Sequence, residues 1–210
     1  MPDASDPLPP TRWALGGARN AGYGDRFAQL LDAGEDIVGE ARLADAMVPR
    51  GARILDAGSG MGRIGAWLQD RGHHVVAAEP DPVLVTQSRD LWPDLAVLPL
   101  EILALTDAAL TAADAPTSYD LVVCVGNVLT FVADGTEVAV LTRLRDLLAP
   151  GGRILAGFHL VGGPATARAY DPDDFVADVT AAGLRVDHRF GGYDLRPVDD
   201  QYAVWLLSRG

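Results

Sequence analysis

Cysteine is almost absent from the sequence, and its scarcity excludes several classes of structure. Cys124 is the single cysteine in 210 residues, and it lies inside an apolar run. One thiol cannot form an intramolecular disulfide or a multi-cysteine metal site. We expect Cys124 to be a buried side chain and not a nucleophile. His73, His74 and His188, which we predict to lie on the surface, show no metal-ligand spacing, so we predict no metal site.

Basic clusters and long apolar runs are also missing. The chain has 17 basic against 29 acidic residues, a formal charge of -12, and its basic residues are scattered among acids. A polyanion such as duplex nucleic acid would be repelled, so we predict no nucleic-acid partner. No apolar run reaches membrane-spanning length, and residues 1–13 are acidic and proline-rich, unlike a signal peptide. We therefore expect a soluble, cytoplasmic protein with no membrane partner.

The length of the chain favours one domain preceded by a flexible segment. About half of the residues are apolar (49%), which is enough for one well-buried core. Residues 1–20 contain four prolines and a glycine pair, a composition that breaks helices, so we predict a mobile segment there. Residues 21–210 form the predicted domain, and helical patterns between 22 and 48 predict two short helices that serve as a lid.

From residue 50 onward, strand and helix patterns alternate, which predicts a doubly wound, mainly parallel sheet of the Rossmann-like α/β class. Asp81-Pro82 and Asp171-Pro172 each mark a helix start, with an N-cap acceptor before a proline at the first helical position. Two later extended runs predict an antiparallel pair at the sheet edge. The predicted strands are 53–57, 74–79, 95–99, 120–125, 153–158, 184–190 and 202–207.

A glycine-rich loop follows the first predicted strand and indicates a nucleotide site. Gly58, Gly60 and Gly62 alternate directly after the strand, so the backbone can turn sharply and present N–H groups to a ligand. Glu79 ends the second strand, where a carboxylate accepts hydrogen bonds from ribose hydroxyls. Asp56, just before the glycines, suits a ligand with an ammonium group better than a pyrophosphate, which it would repel.

Two alternatives remain for this loop. Residues 60–65 formally spell a dinucleotide fingerprint, but its first glycine should come straight off the strand, and in that frame Arg63 occupies the third-glycine position. The loop can also be a plain strand-to-helix turn in which Asp56 only caps the following helix. We favour S-adenosylmethionine, because it has an ammonium group, a ribose and an adenine but no phosphate.

These residues resemble the class I S-adenosylmethionine-dependent methyltransferases, over roughly residues 40–210. Within that family the chain resembles a group of small bacterial members, which carry a Trp-Tyr pair where this chain has Gly22-Tyr23. The resemblance implies the Rossmann-like fold, S-adenosylmethionine as cofactor and S-adenosylhomocysteine as product. The residues that we expect to contact the cofactor are Tyr23, Arg42, Asp56, Ala57, Gly58, Ser59, Gly60, Gly62, Glu79, Pro80, Asp81, Glu101, Ile102, Val125, Gly126 and Asn127.

The chemistry predicted for this site is in-line methyl transfer to a small-molecule acceptor. Alignment and exclusion of water supply much of the catalysis, and a base is useful for a hydroxyl or ammonium acceptor. His159, just after the fifth strand, is our candidate base, and Asn127 can donate to the acceptor or the cofactor. Tyr170, Tyr193 and Arg196 are candidate acceptor contacts. The alternatives are a non-catalytic module that binds the cofactor or its product, and a nicotinamide-dependent oxidoreductase.

Overall fold

The computed structural model describes residues 7–210 as a seven-stranded sheet with helices on both faces. Residues 1–6, part of the predicted mobile segment, lie outside the described residues. The strands are β1 Arg53–Ala57, β2 His74–Ala78, β3 Ala96–Leu98, β4 Tyr119–Cys124, β5 Leu148–His159, β6 Leu184–Phe190 and β7 Tyr202–Arg209. The helices are α1 Arg12–Gly16, α2 Tyr23–Asp32, α3 Gly39–Ala46, α4 Arg63–Asp70, α5 Pro82–Leu91, α6 Asp107–Ala112, α7 Glu137–Asp146 and α8 Pro172–Ala181.

The strand order confirms the predicted fold class. The sheet runs β3-β2-β1-β4-β5-β7-β6; the first five strands pair in parallel, and β7 is antiparallel to both of its neighbours. Each of the seven predicted strands is present. The fifth is longer than predicted, because it begins at Leu148 and includes the Pro150-Gly151-Gly152 segment. In a parallel sheet the carboxyl ends of β1 to β5 meet at one edge, where ligands bind.

Both faces of the sheet are buried, which explains the nearly continuous apolar strands. One face packs against α3, α4 and α5, and the other against α7 and α8. Cys124 is fully buried on the face of the sheet that packs against α7 and α8. Burial raises the pKa of its thiol, which agrees with the prediction that Cys124 is not a nucleophile. Over residues 7–210, no helix is both long and apolar enough to cross a membrane.

Two predictions about local structure are wrong. Residues 12–16, which we expected to be broken by their composition, form α1, because the hydroxyl of Thr11 accepts a hydrogen bond from the Ala14 N–H and caps the helix. His73, predicted to be a surface residue, is buried, and its Nε2 lies 2.9 Å from a carboxylate oxygen of Asp45. Asp45, on α3, supplies the hydrogen bond that offsets the cost of burying the His73 ring. The sequence around His73 does not reveal this partner.

Candidate functional site

A cavity of about 660 Å³ opens at the carboxyl ends of β1, β2, β4 and β5, within the usual range for small-molecule sites. Its cover comes from residues 11–27 and from the loop after β5. Of the predicted site residues, those that line it are Tyr23, Gly58, Gly60, Glu79, Pro80, Glu101, Ile102, Gly126, Asn127 and His159. The structure therefore brings most of the predicted cofactor contacts and both candidate catalytic residues to one cavity.

The glycine loop forms the floor of the cavity in a conformation that side chains would disrupt. Gly58 has φ 78°, and a Cβ there would lie 2.5 Å from a methyl carbon of Val128. At Gly60 (φ 57°) a Cβ would lie 3.3 Å from the ring of Tyr23, which closes over the loop. Glycine at both positions lets the backbone lie close to the cavity. Between them, the hydroxyl of Ser59 is buried and has no hydrogen-bond partner within residues 7–210. The loop fits a bound ligand better than a plain turn.

Glu79 is a buried carboxylate that contacts this loop. One of its oxygens accepts the Gly60 N–H at 2.9 Å, and the other accepts the Asp81 N–H at 2.9 Å. Burial raises the pKa of Glu79 to about 6. The hydrogen bonds from the two backbone N–H groups act in the opposite direction and lower the pKa, but their effect is smaller. Each oxygen keeps a lone pair for a ligand hydroxyl, so Glu79 can hold a ribose diol as predicted.

Asp56 lies behind the loop and does not line the cavity. Its Oδ2 accepts the Gly65 N–H at 2.9 Å, in the first turn of α4. The structure therefore favours the alternative in which Asp56 caps this helix. Burial raises the pKa of Asp56 to about 7, against the hydrogen bond from Gly65, which lowers it.

The raised pKa of Asp56 predicts a pH-dependent stability. An acid whose pKa is higher in the folded than in the unfolded state stabilises the fold at low pH, and this contribution is lost as pH rises through the folded pKa. Between about pH 5 and pH 8 we expect the free energy of unfolding of the wild type to fall by about 2 kcal/mol more than that of Asp56→Asn, which keeps the acceptor for Gly65. Urea denaturation of both proteins across this range checks the prediction, and parallel curves would contradict it.

Asn127 and His159 form a defined pair at the cavity wall. Asn127 follows β4 in a left-handed conformation (φ 76°), and its Oδ1 accepts the backbone N–H of His159 at 2.8 Å. The same oxygen lies 3.0 Å from the His159 Nδ1. The His159 ring packs edge-on against Tyr202 at 4.8 Å, and burial lowers its pKa. His159 is therefore held in one orientation as a neutral imidazole near neutral pH.

The cover of the cavity is held by contacts that the sequence analysis missed. Trp13 donates from its indole N–H to Asp81 at 2.7 Å and packs edge-on against Tyr23 and Phe131. Asn20 accepts a hydrogen bond from the Thr166 hydroxyl at 2.6 Å, which joins the cover to the loop after β5. The local signal for these contacts in the sequence was Trp13, an aromatic residue two positions after Thr11 in a proline-rich stretch.

Several predicted contacts lie outside the cavity. Tyr170 is a core residue, whose hydroxyl donates to Asp178 and whose ring stacks on Phe158. Arg42 and Arg196 are exposed and form ion pairs with nearby aspartates. Asp81 caps α5 and accepts from Trp13. The other predicted residues that do not line the cavity are Ala57, Ser59, Gly62, Val125 and Tyr193.

Tyr193 is placed by the last hairpin behind the candidate base. Its hydroxyl lies 2.9 Å from that of Tyr202, and burial raises the pKa of Tyr193 well above its ordinary value. A Cβ on Gly157 would lie 2.0 Å from the Tyr193 hydroxyl, so the phenol occupies space that a side chain on β5 would fill. Tyr193 thus supports the wall that carries His159 and is not a wall residue itself.

Comparisons with known proteins identify the family of this chain. Residues 54–152 match a family model described as a methyltransferase domain. A TehB-like S-adenosylmethionine-dependent methyltransferase from Corynebacterium glutamicum is 32% identical, with a TM-score of 0.80 over 92% of this chain and 99% of that one. A ubiquinone biosynthesis O-methyltransferase from Xanthomonas euvesicatoria is 27% identical over 89% of this chain and 78% of its own length.

A third relative shows the fold with ligands in place. The 1,6-didemethyltoxoflavin-N1-methyltransferase from Burkholderia thailandensis, solved with 1,6-didemethyltoxoflavin and S-adenosylhomocysteine, is 19% identical. It covers 100% of this chain and 97% of its own, with a TM-score of 0.60. The family model and the 32% identical S-adenosylmethionine-dependent methyltransferase confirm the cofactor prediction over the nicotinamide alternative. The chain belongs to the class I S-adenosylmethionine-dependent methyltransferases.

Proposed function

We propose that this methyltransferase acts on an oxygen or nitrogen atom of a small molecule and that His159 accepts the proton which the acceptor loses. The observation that carries the proposal is the Asn127–His159 pair in the cavity wall. One relative is named an O-methyltransferase and another an N1-methyltransferase. Both kinds of acceptor benefit from a base when they are protonated.

Hydrogen bonding to Asn127 determines which nitrogen of His159 can act as the base. A backbone N–H can only donate, so the Asn127 atom that accepts it is the amide oxygen. That oxygen cannot donate, so the His159 Nδ1 must carry a proton to bond with it. In the neutral ring the lone pair is then on Nε2, which has no partner within residues 7–210. Asn127 is the positioning residue and His159 the base.

The residues present fit S-adenosylmethionine, which carries a methyl group on a sulfonium. Gly58 and Gly60 leave room at the loop, and the carboxylate of Glu79 can receive the ribose hydroxyls. Pro80, Glu101 and Ile102 line the same side of the cavity, where the adenine would lie. When the methyl carbon bonds to the acceptor, the carbon–sulfur bond breaks and its electron pair stays on sulfur. The acceptor proton passes to Nε2 of His159.

Exclusion of water is the second role that we assign to this chain's residues. We propose that residues 11–27 are the lid, in place of the helices between 22 and 48 that the sequence suggested. Trp13 and Asn20 tie this segment to Asp81 and Thr166, across the cavity mouth. Ligand exchange requires these contacts to open, and closing them removes solvent from the methyl group.

Weakening one lid contact should speed release of the product. Trp13→Phe keeps the aromatic packing but removes the hydrogen bond to the Asp81 carboxylate, a charge-assisted bond. We expect S-adenosylhomocysteine to dissociate about tenfold faster, since such a bond contributes about 1.5 kcal/mol. Stopped-flow displacement measures this rate, and Trp67→Phe, on α4 outside the cavity, is the control. Equal rates for wild type and Trp13→Phe would remove the lid assignment.

Labelled methyl transfer tests the proposed function itself. The protein is incubated with methyl-labelled S-adenosylmethionine and fractionated small-molecule, protein and nucleic-acid extracts. We expect label in the small-molecule fraction, on oxygen or nitrogen. Label only in protein or nucleic acid, or on a carbon or sulfur atom, would overturn the proposal.

A further inference from the structure

Two arginines line the cavity without a carboxylate partner. All 17 basic residues are arginine, and nine of them form ion pairs with Asp or Glu. Arg19 and Arg26 form none with any residue from 7 to 210, although the chain carries a net charge of -12. The Arg19 Nε makes one long hydrogen bond, 3.5 Å, to the Gly16 carbonyl oxygen. The lid thus contributes two arginines to the cavity lining, and neither forms an ion pair within residues 7–210.

The charges of the cavity are divided between its two walls. Its lining carboxylates, Glu79 and Glu101, lie after β2 and β3 at the ends of the sheet strands. Arg19 and Arg26 both belong to the lid, on the outer side, and both are exposed. A ligand lying against the strands therefore meets acidic groups, whereas a ligand lying beneath the lid meets cations. These two environments suit two different molecules.

We propose that Arg19 and Arg26 bind a carboxylate of the methyl acceptor, which makes the acceptor a small organic acid. This inference rests on the proposed function and names the substrate class of the same site. Guanidinium forks match carboxylate geometry and form charge-assisted hydrogen bonds. Fixing the acidic end of the acceptor beneath the lid leaves its other end free to reach His159, the base in the opposite wall. Binding of the acid also draws the lid onto the cavity.

The cofactor carries a carboxylate of its own, so the experiment must separate two sources of the same group. The acceptor is the better match, because both arginines are exposed on the outer wall, while the glycine loop that receives the cofactor is buried beneath Tyr23. S-adenosylhomocysteine contains the amino acid end, and methylthioadenosine lacks it. Comparing these two ligands shows whether an arginine contacts the cofactor's carboxylate.

The probe for the acceptor site is benzoate, compared with benzamide, its uncharged counterpart of the same shape. Calorimetry on the protein saturated with S-adenosylhomocysteine, at constant ionic strength, measures both. We expect benzoate to bind at millimolar concentration and at least about tenfold more tightly than benzamide. The double variant Arg19→Gln with Arg26→Gln should lose this preference. Arg71→Gln removes the same charge outside the cavity and should keep it.

Three results would overturn the inference. The first is equal binding of benzoate and benzamide by the wild type, and the second is no binding of benzoate. The third is a double variant that loses affinity for S-adenosylhomocysteine but not for methylthioadenosine, because the arginines would then serve the cofactor. None of these measurements requires turnover. A protein that prefers benzoate through these arginines but methylates no small molecule would refute the proposed function alone.

Discussion

Replacing His159 with alanine should reduce the rate of methyl transfer by about 100-fold to 10,000-fold, the usual contribution of a positioned general base. The side chain lines the cavity, and its orientation is fixed by Asn127 and by the Tyr202 ring. Affinity for S-adenosylhomocysteine should remain unchanged, because none of the proposed cofactor contacts is removed. Single-turnover transfer from methyl-labelled S-adenosylmethionine to the acceptor measures the rate, and calorimetry with S-adenosylhomocysteine measures the affinity.

The pH profile distinguishes a base from a merely structural histidine. Burial lowers the pKa of His159, so we expect the wild-type rate to rise with pH through a value below 6.5 and then level off. Asn127→Asp keeps an oxygen for both N–H groups but places a negative charge beside the ring, so it should raise the pKa of His159 and move this rise in rate to higher pH. His188→Ala, at an exposed position in β6, is the control. A His159→Ala enzyme with the wild-type profile would end the assignment of the base.

Replacing Glu79 with alanine should weaken S-adenosylmethionine binding by about 100-fold, or 2.7 kcal/mol. The change removes the acceptors for the ribose hydroxyls and leaves the Gly60 and Asp81 N–H groups without their partner. Glu79→Gln retains one acceptor oxygen and should lose about tenfold. Calorimetry measures both variants, and Asp94→Asn, an exposed carboxylate on another loop, is the control.

Glu79 should also make cofactor binding depend on pH. Its pKa is about 6 in the free protein, and ribose hydroxyls that donate to the carboxylate favour its ionised form. Below about pH 6 the cofactor must displace a proton, so affinity should fall by about tenfold for each further pH unit. The Glu79→Gln protein should lack this dependence. Identical pH dependence in wild type and variant would show that another group titrates.

Much of the cofactor side of the site was predictable because its signals are local. Alternating glycines after an apolar strand allow a close backbone approach, and two of the three, Gly58 and Gly60, line the cavity. Glu79 was found because the end of a parallel strand fixes where the next side chain lies. Asp56 shows the limit of this reasoning, since the same position can face either a ligand or the helix that follows. The Gly65 N–H uses one carboxylate oxygen of Asp56 for the helix, and the contact with the cofactor stays a prediction.

The acceptor side was less predictable because it is assembled from distant segments. Tyr170, Tyr193 and Arg196 lie in loops or at loop ends, where the sequence does not fix the direction of a side chain. Trp13 belongs to a stretch whose composition suggested disorder, yet its partner Asp81 is 68 residues away. Such contacts depend on packing of the whole chain, and no local period or motif encodes them.

The position of β7 gives the two halves of the site different folding histories. β7 is the last strand in sequence, yet it lies between β5 and β6, so neither neighbour is complete until it arrives. The glycine loop and Glu79 are held by hydrogen bonds to β2 and β3, which precede β7 in the chain. His159 pairs with Tyr202 at the start of β7, so its wall is finished only when the last hairpin docks. During synthesis, the segments that hold the methyl donor are therefore present before the strand that completes the wall of the base.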